Sequence, residues 1–271
     1  MSPLKIRNTL LGEGLPKICI PIVGTTEKEI LEEAGNFSGL PLDMVEWRAD
    51  WFEEVTDTEA VLSVLEKLRE VLGETALLFT FRTAKEGGKR SIQREDYAAL
   101  NLAVAASGNA DLIDVEAFWE PDGTRMDGAS IAEGEASGSG FAENLIHEIH
   151  ARGGLVVASN HDFDKTPERG EMLRRLRRMQ EIGGDVPKLA VMPRTKSDVL
   201  ELLAATEEMV RTYAARPIIT MSMSGIGTVS RICGEIFGSA LTFGAAKKAS
   251  APGQLAVEEL DAMLDVIHRS L

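Results

Sequence analysis

Short apolar runs alternate with longer amphipathic stretches along almost the whole chain. Because strands that are apolar on both faces need cover on both sides, these runs are typical of a parallel sheet that lies between helices. We predict strands at residues 17–23, 44–48, 76–82, 111–116, 155–160, 188–192, 217–221 and 240–243. We predict helices at residues 27–35, 58–72, 94–107, 141–152, 167–182, 196–214, 226–237 and 257–271.

Eight consecutive strand–helix units predict an α/β protein of the (β/α)8 type, a TIM barrel. The units use up the 271 residues, so we expect a single catalytic domain over residues 1–271. An open, doubly wound sheet is the alternative, but its dinucleotide fingerprint Gly-x-Gly-x-x-Gly is absent from the sequence. Gly225-Ile226-Gly227 lacks the third glycine and indicates a turn into a helix. The barrel is therefore the preferred prediction.

Local signals mark where helices begin and where the regular pattern is interrupted. Thr56-Asp57 and Thr166-Pro167 are typical N-terminal sequences, and Pro167 would take the first helical position. Thr195 or Ser197 is predicted to cap the sixth helix. Residues 121–140 are small and acidic without periodicity, and we predict a long mobile loop there.

The composition excludes several classes of function. With a net charge of −14 and no long basic run, the chain is not expected to bind nucleic acid or an anionic membrane. It lacks an apolar run that could span a membrane and the apolar segment of a secretory signal, so we expect a cytoplasmic protein. Cys19 and Cys233 could pair in principle, but two reduced core thiols are the favoured interpretation. Neither they nor His147, His150 and His268 have the spacing of zinc ligands, so we expect no metal.

Charged residues at the carboxyl ends of the predicted strands are the candidate functional residues. Catalytic groups of (β/α)8 barrels lie at these ends, and a charge that points inward must be paired or used. Alternation places Glu46 and Arg48 on one face of their strand, while Arg82, Glu116 and His161 end or follow three other strands. Two interpretations stay open for the first four: a structural ion-pair network, or groups that bind a substrate. His161 is either a histidine in a turn or a proton-transfer group.

Lys188 begins a predicted strand that is otherwise apolar, Lys188-Leu189-Ala190-Val191-Met192. A buried ammonium is costly unless it is engaged, and burial favours the neutral amine that an imine-forming lysine requires. Lys188 lies near the start of its strand, but its long side chain can reach upward inside the barrel. The sequence therefore indicates Lys188 as a candidate nucleophile.

Six separate segments of the chain carry a family resemblance. They are Glu46-Trp47-Arg48, Phe79-Thr80-Phe81-Arg82, Ser159-Asn160-His161-Asp162-Phe163, Lys188-Leu189-Ala190-Val191-Met192-Pro193, Ile219-Thr220-Met221-Ser222-Met223 and Lys248-Ala249-Ser250-Ala251-Pro252-Gly253-Gln254. Together and in this order, they resemble the type I 3-dehydroquinate dehydratases of the shikimate pathway, over nearly the whole chain.

The resemblance implies the dehydration of 3-dehydroquinate to 3-dehydroshikimate through a Schiff base. Lys188 resembles the family's imine-forming lysine, which condenses with the C3 ketone and makes the C2 proton acidic. His161 matches the base that removes this proton and returns one to the departing C1 hydroxyl, in an overall syn elimination. Glu86 matches the carboxylate that orients and tunes the histidine.

The resemblance also implies the residues that bind the substrate. Arg231 is expected to bind the substrate carboxylate, for which a planar guanidinium is suited. The others are Glu46, Arg48 and Arg82 at the ring hydroxyls, Met221, Met223 and Phe243 as an apolar wall, and Ser250, Ala251 and Gln254 on a closing loop. No cofactor is expected, and the resemblance implies a homodimer.

Two features depart from the family pattern, and two other classes of protein compete with it. The segment 121–140 is longer than expected, and Pro21 stands where a small polar residue is expected. A class I aldolase also uses a barrel lysine, but residues 243–248 do not resemble its glycine-rich phosphate site. A non-catalytic barrel would be expected to have lost one of the three catalytic residues, and all three are present.

Overall fold

The computed structural model describes residues 2–119, 140–246 and 250–271, and its framework is a parallel β-sheet. A short antiparallel hairpin of β1 (Leu4–Ile6) and β2 (Thr9–Leu11) comes first. The strands of the sheet are β3 (Lys17–Ile22), β4 (Met44–Arg48), β5 (Ala76–Thr80), β6 (Leu112–Glu116), β7 (Leu155–Asp162), β8 (Val186–Val191), β9 (Ile219–Ser222), β10 (Leu241–Ala245) and the short β11 (Leu255–Ala256). The predicted loop at 121–140 lies outside the described residues except for Gly140.

Hydrogen bonds between the ends of the sheet close it into a barrel. Strands β3 to β9 pair in parallel in chain order, and β10 returns to pair with β3, with Leu241 opposite Lys17. Between β9 and β10, Ile218 and Ser239 form a parallel bridge. The amide of Ala240 donates to the carbonyl of Ile218 at 2.8 Å. The predicted (β/α)8 barrel is therefore confirmed.

Helices follow the barrel strands and cover the outer surface of the barrel. They are α1 (Glu27–Gly35), α2 (Thr58–Leu72), α3 (Arg94–Ser107), α4 (Phe141–His150), α5 (Arg169–Glu181), α6 (Lys196–Glu208), α7 (Val229–Ile232), α8 (Gly234–Phe237) and α9 (Val257–His268). The predicted bounds of α1, α2 and α3 are confirmed to the residue. No helix within the described ranges is both long enough and apolar enough to cross a membrane.

The side chains at the starts of the helices confirm two of the predicted caps. The carboxylate of Asp57 accepts hydrogen bonds from two amides in the first turn of α2. At the start of α6, Thr195 and Asp198 each accept a hydrogen bond from the other's backbone amide, which forms a capping box. Thr195, and not Ser197, is therefore the cap.

Two predicted helices are wrong in detail. Helix α5 begins at Arg169 and not at Pro167, because the hydroxyl of Thr166 donates to the carbonyl of Met192 at 3.2 Å and does not cap. The predicted helix 226–237 is broken into a 3-10 turn followed by α7 and α8. A Cβ atom on Gly227 would lie 2.2 Å from the carbonyl oxygen of Ser222, so only glycine fits in this 3-10 turn.

Alternation along the strands separates an inner from an outer layer of the core. On β7, Val156 and Ala158 pack in the layer between sheet and helices, while Val157 packs inside the barrel. Ser159 and His161 therefore point into the barrel, and the residue between them points toward the helices. This alternation decides which polar groups reach the mouth of the barrel.

The amino-terminal hairpin and the cysteines complete the picture of the interior. Ile6 and Leu11 of the hairpin pack on the inner layer of the barrel, which the sequence pattern did not predict. Cys19 is buried in the same layer, whereas Cys233 is only half-buried. The two cysteines are not paired with each other, and Cys233 is not the core residue that was predicted; their reduced state stays a prediction.

Candidate active site

A cleft at the carboxyl ends of the strands collects nearly all of the predicted site residues. Its lining includes Glu46, Arg48, Arg82, Glu86, His161, Lys188, Met221, Met223, Phe243, Ser250, Ala251 and Gln254. Gly87, Phe163 and Ala190 also line it and had not been predicted as site residues. Arg231 lies behind this lining, against Met221. The structure thus brings together residues from seven parts of the sequence in one cleft.

Lys188 lies at the floor of the cleft, between two carboxylates and an aromatic ring. Its Nζ atom is 3.6 Å from Oε1 of Glu46 and 3.6 Å from Oδ2 of Asp114. The same atom lies 4.7 Å from the centre of the Phe243 ring, and the residue is 4% exposed. Ala190 is the next residue on this face of β8, and its small side chain leaves space above the amine. Lys188 and Ala190 both line the cleft, so a ligand in the cleft can approach Nζ.

His161 and Glu86 form a hydrogen-bonded pair at the rim. Nδ1 of His161 lies 2.9 Å from Oε2 of Glu86, and the backbone amide of His161 donates to the same oxygen at 2.9 Å. The side-chain amide of Asn160 donates to Oε1 of Glu86 at 2.9 Å. With Nδ1 bound to the carboxylate, Nε2 is the nitrogen that is left for a ligand.

The surroundings shift the pKa values of this pair in opposite directions. Burial, and then the cations Arg82 and Lys188, lower the pKa of His161 well below its ordinary value. Burial, and then Glu116, raise the pKa of Glu86 to about 8. The first proton that the pair takes up as the pH falls therefore goes to Glu86. When Glu86 is ionised it accepts the bond from Nδ1–H, and Nε2 is free to take a proton.

Arg82 is the centre of a buried network of carboxylates. Its guanidinium lies 2.7 Å from Asp114 and 3.0 Å from Glu116, and it donates to the hydroxyl of Ser159 at 3.0 Å. Burial alone would lower the pKa of Arg82, but Asp114, Glu116 and Glu86 raise it well above the ordinary value. Arg82 is therefore a fixed positive charge, and its pairing with Glu116 confirms one part of the ion-pair interpretation.

Arg48 and Glu46 do not pair with Arg82 and Glu116, as the ion-pair interpretation of the sequence would require. Arg48 binds Asp50 with two hydrogen bonds of 2.8 and 2.9 Å, and Asp50 is fully buried. Glu46 accepts a hydrogen bond of 2.9 Å from Thr80 and lies next to the amine of Lys188. Asp50 thus holds the guanidinium of Arg48, which lines the cleft, and had not been predicted as a site residue. Asp114 was also missed, although it shares a strand face with Glu116.

Arg231 is a buried cation without a counter-ion among the described residues. It is 1% exposed, and its Nη2 atom donates to the carbonyl of Pro252 at 3.0 Å. Its Nε atom is buried and has no hydrogen-bond partner. Burial lowers its pKa to about 10. A buried guanidinium in this state is suited to bind an anion that comes from outside the protein.

The described part of the segment 250–254 is folded against the cleft. The amide of Ser250 donates to Oε1 of Gln254 at 2.8 Å, and Nε2 of Gln254 donates back to the hydroxyl of Ser250 at 3.0 Å. Gly253 has a φ of +78°, and a Cβ atom there would lie 2.4 Å from the carbonyl oxygen of Ser224. Only glycine can make this approach, so the segment is fitted to its present position.

Comparisons with known proteins agree with this site. The family model of type I 3-dehydroquinase matches residues 18–270. The chain belongs to the type I 3-dehydroquinase family. The predicted family and the predicted enzyme class, a hydro-lyase, are therefore confirmed.

Named members of the type I 3-dehydroquinase family are similar over almost their whole length. The 3-dehydroquinate dehydratase of Clostridioides difficile (strain 630) is 47% identical over 99% of this chain and 98% of its own. A crystal structure of the type I enzyme from Clostridium difficile, which carries covalently modified comenic acid, has a TM-score of 0.88 at 46% identity. It covers 99% of this chain and 98% of that one. The structure of 3-dehydroquinate dehydratase from Enterococcus faecalis has a TM-score of 0.84 at 41% identity, with 97% and 99% covered.

Metal ligands do not cluster in the part of the chain that the structure describes. Groups of three or more His, Cys, Asp or Glu side chains that could hold a metal ion are not found there. The expectation that the reaction needs no metal and no cofactor stays a prediction.

Proposed function

We propose that the protein removes water from 3-dehydroquinate to give 3-dehydroshikimate, through a Schiff base on Lys188. The observation that carries the proposal is the buried amine of Lys188 at the floor of a cleft whose rim holds the pair His161–Glu86. The similar proteins from Clostridioides difficile and Enterococcus faecalis are named for this dehydration. The covalently modified ligand in the former's crystal structure is consistent with a nucleophile in the same family.

Imine formation uses the amine and its two neighbouring carboxylates. The ammonium of Lys188 and the C3 ketone become a protonated imine and one water molecule, so two protons move from nitrogen to the departing oxygen. Glu46 and Asp114 lie 3.6 Å from the nitrogen and can receive these protons in passing. The protonated imine carries its positive charge at the place where the ammonium was, and both carboxylates stabilise it there.

Elimination uses the histidine. The protonated imine withdraws electrons from C2, and Nε2 of His161 removes the C2 proton while Glu86 holds the ring through Nδ1. The imidazolium then gives a proton to the C1 hydroxyl, which leaves as water. Hydrolysis of the product imine restores the free amine of Lys188.

Recognition of the substrate rests on charge and shape. Arg231, which has no counter-ion among the described residues, binds the substrate carboxylate. Glu46, Arg48 and Arg82 bind the ring hydroxyls, and Met221, Met223 and Phe243 form the apolar wall. Ser250, Ala251 and Gln254 cover the substrate from above. A single catalytic domain, a homodimer, a cytoplasmic location and a role in the shikimate pathway complete the proposal.

Reduction of the imine tests the mechanism. Borohydride with 3-dehydroquinate should inactivate the protein and leave one reduced adduct on Lys188, identified by mass spectrometry of peptides. Lys188→Met should abolish both labelling and turnover, since no other group supplies the covalent electron sink. Lys165→Met, which changes an exposed lysine beyond β7, is the matched control and should behave like the wild type. Turnover by Lys188→Met, or an adduct on another lysine, contradicts the mechanism.

A further inference from the structure

One carboxylate, that of Glu86, is held from both faces of strand β7. His161 faces the interior of the barrel and binds Oε2 of Glu86, whereas Asn160 faces the helices and binds Oε1. Asn160 is only 3% exposed, so its amide cannot exchange this bond for one to solvent. Two successive residues of the same strand therefore fix both oxygens of the carboxylate that orients the base.

The orientation of the Asn160 amide is itself fixed by helix α5. Nη1 of Arg175 donates to Oδ1 of Asn160 at 3.0 Å, so the NH2 group of Asn160 has to face Glu86. Nε of Arg175 donates to Glu171 at 2.7 Å, and Nη1 lies 3.4 Å from a carboxylate oxygen of Asp162. The guanidinium is therefore held by three groups, and its side chain is 12% exposed. If Arg175 were absent, the amide could rotate and place its oxygen against the carboxylate.

We propose that Arg175 and Asn160 are positioning residues, which act through Glu86 to keep His161 in the form and orientation of a base. The proposal rests on the proposed dehydration mechanism, in which Glu86 has to be ionised. Arg175 lies on the outer helix α5 and is not among the residues that line the cleft. Its effect would reach the base through three hydrogen bonds in series, Arg175–Asn160, Asn160–Glu86 and Glu86–His161.

The charges around Glu86 give the direction of the expected effect. Arg82, just after β5, favours the ionised carboxylate, while Asp114 and Glu116 on β6 oppose it. Burial raises the pKa of Glu86 most, and the hydrogen bond from Asn160 lowers it. Loss of this donor therefore raises the pKa further. The carboxylate is ionised only above its pKa. When the pH is lowered, the activity of a variant without this donor should therefore begin to fall at a higher pH than the activity of the wild type.

The test compares two neighbouring arginines of α5. Arg175→Met should lower kcat at neutral pH about tenfold and move the acid limb of the pH–rate profile up by about one pH unit, as loss of one hydrogen bond to a charged group predicts. The difference in kcat between Arg175→Met and the wild type should disappear at alkaline pH, and KM should change less than twofold. Arg174→Met is the control: Arg174 binds the same Glu171 but is largely exposed and has no bond to Asn160.

Asn160→Leu removes the donor itself and should shift the limb in the same direction. If Arg175→Met does not fold, Arg175→Lys is measured instead, because lysine keeps the charge but lacks the planar guanidinium whose Nε and Nη1 atoms bind Glu171 and Asn160 separately. A pH–rate profile of the folded Arg175 variant that superimposes on the wild type overturns the proposal. So does an equal shift in Arg174→Met.

A nuclear magnetic resonance titration separates this proposal from the proposed function. The chain has four histidines, so the nitrogen signals of His161 can be assigned by comparison with His161→Gln. These signals should respond to the ionisation of Glu86 at a higher pH in Arg175→Met than in the wild type. If the wild type does not turn over 3-dehydroquinate, the proposed function fails, and this shift still tests the hydrogen-bond chain. If turnover is present but the shift is absent, only the proposed role of Arg175 and Asn160 fails.

Discussion

The two most deeply buried arginines of the site, Arg82 and Arg231, are expected to respond in opposite ways to the same substitution. Arg82 is surrounded by three carboxylates, whereas Arg231 has only a carbonyl and a thioether as neighbours in the described structure. Methionine replaces the aliphatic stem of arginine and carries no charge. Arg231→Met and Arg82→Met therefore compare the removal of an unpaired charge with the removal of a paired one.

For Arg231→Met, two effects on stability nearly cancel. Burial lowers the pKa of Arg231 to about 10, and at about 1.4 kcal/mol for each pKa unit the charge costs on the order of 3 kcal/mol in the folded state. The substitution removes this cost and also the bond to Pro252, which contributes about 1.5–3 kcal/mol. The free energy of unfolding without substrate should thus stay within about 1 kcal/mol of the wild type, or rise.

For Arg82→Met, the loss is large. Asp114, Glu116 and Glu86 would be left buried without their cation, which typically costs about 3–5 kcal/mol. In a protein of this size, such a loss lowers Tm by about 6 °C or more. Thermal unfolding without substrate, followed by circular dichroism, measures both variants under the same conditions.

Catalysis should show the complementary result for Arg231→Met. Loss of a charge-assisted hydrogen bond to the substrate carboxylate, at about 1.5–3 kcal/mol, lowers kcat/KM by about 10- to 150-fold. An analogue of the substrate without the carboxylate should discriminate little between variant and wild type. The reasoning is refuted if Arg231→Met is as unstable as Arg82→Met, or if the variant still prefers the substrate over the analogue as strongly as the wild type does.

Three further predictions address the base, the closing segment and the absence of a metal. Glu86→Gln should lower kcat by about 10²–10⁴-fold, because an amide can hold the wrong tautomer of His161. It should also remove an acid limb near pH 8 from the pH–rate profile, and a profile that keeps this limb speaks against Glu86 as its origin. Gly253→Ala forces a Cβ atom against the carbonyl of Ser224 and should raise KM about tenfold. Gly225→Ala is the control, because the space at its Cβ is open, and it should leave KM unchanged. Equal KM values for the two variants in steady-state kinetics would show that the segment can move at no cost. Exhaustive chelation should leave turnover unchanged, and activity that is lost and then restored by zinc or magnesium would show that the imine is not the only electron sink.

Elements with local signals were predictable from the sequence, and elements without them were not. The bounds of α2 follow from the cap at Asp57 and an amphipathic repeat, both of which the sequence displays. The hairpin β1–β2 has strands of three residues, too short for a periodicity to be recognised, and it is stabilised by packing on the barrel interior. The 3-10 turn before α7 coincides with the close approach of Gly227 to Ser222, a contact that no local pattern reports.

The same distinction applies to the site. The predicted residues could be recognised because charged residues are unusual on strands that are otherwise apolar. The family resemblance then implied their roles. Asp50, Asp114 and Asn160 had not been predicted as site residues. Asp50 and Glu86 lie in short 3-10 turns, whose side-chain partners no periodic pattern reports, whereas Asp114 meets Lys188 because of the register between strands. Thr80 stands opposite Arg48, for example, and Lys188 opposite Ser159, so that side chains distant in sequence meet at one height in the barrel.

Whether a buried charge is paired also determines its possible role, and the sequence alone does not show this pairing. Arg48, Arg82 and Arg231 are alike in sequence, each next to or near an apolar strand. In the folded chain the first two are neutralised by Asp50 and by Asp114 with Glu116, and so they present a fixed geometry at little electrostatic cost. Arg231 is neutralised by nothing in the described structure, so its buried charge is a cost that only a bound anion removes. If Arg231 binds the substrate carboxylate as proposed, substrate should raise the free energy of unfolding through this residue more than through either of the paired arginines.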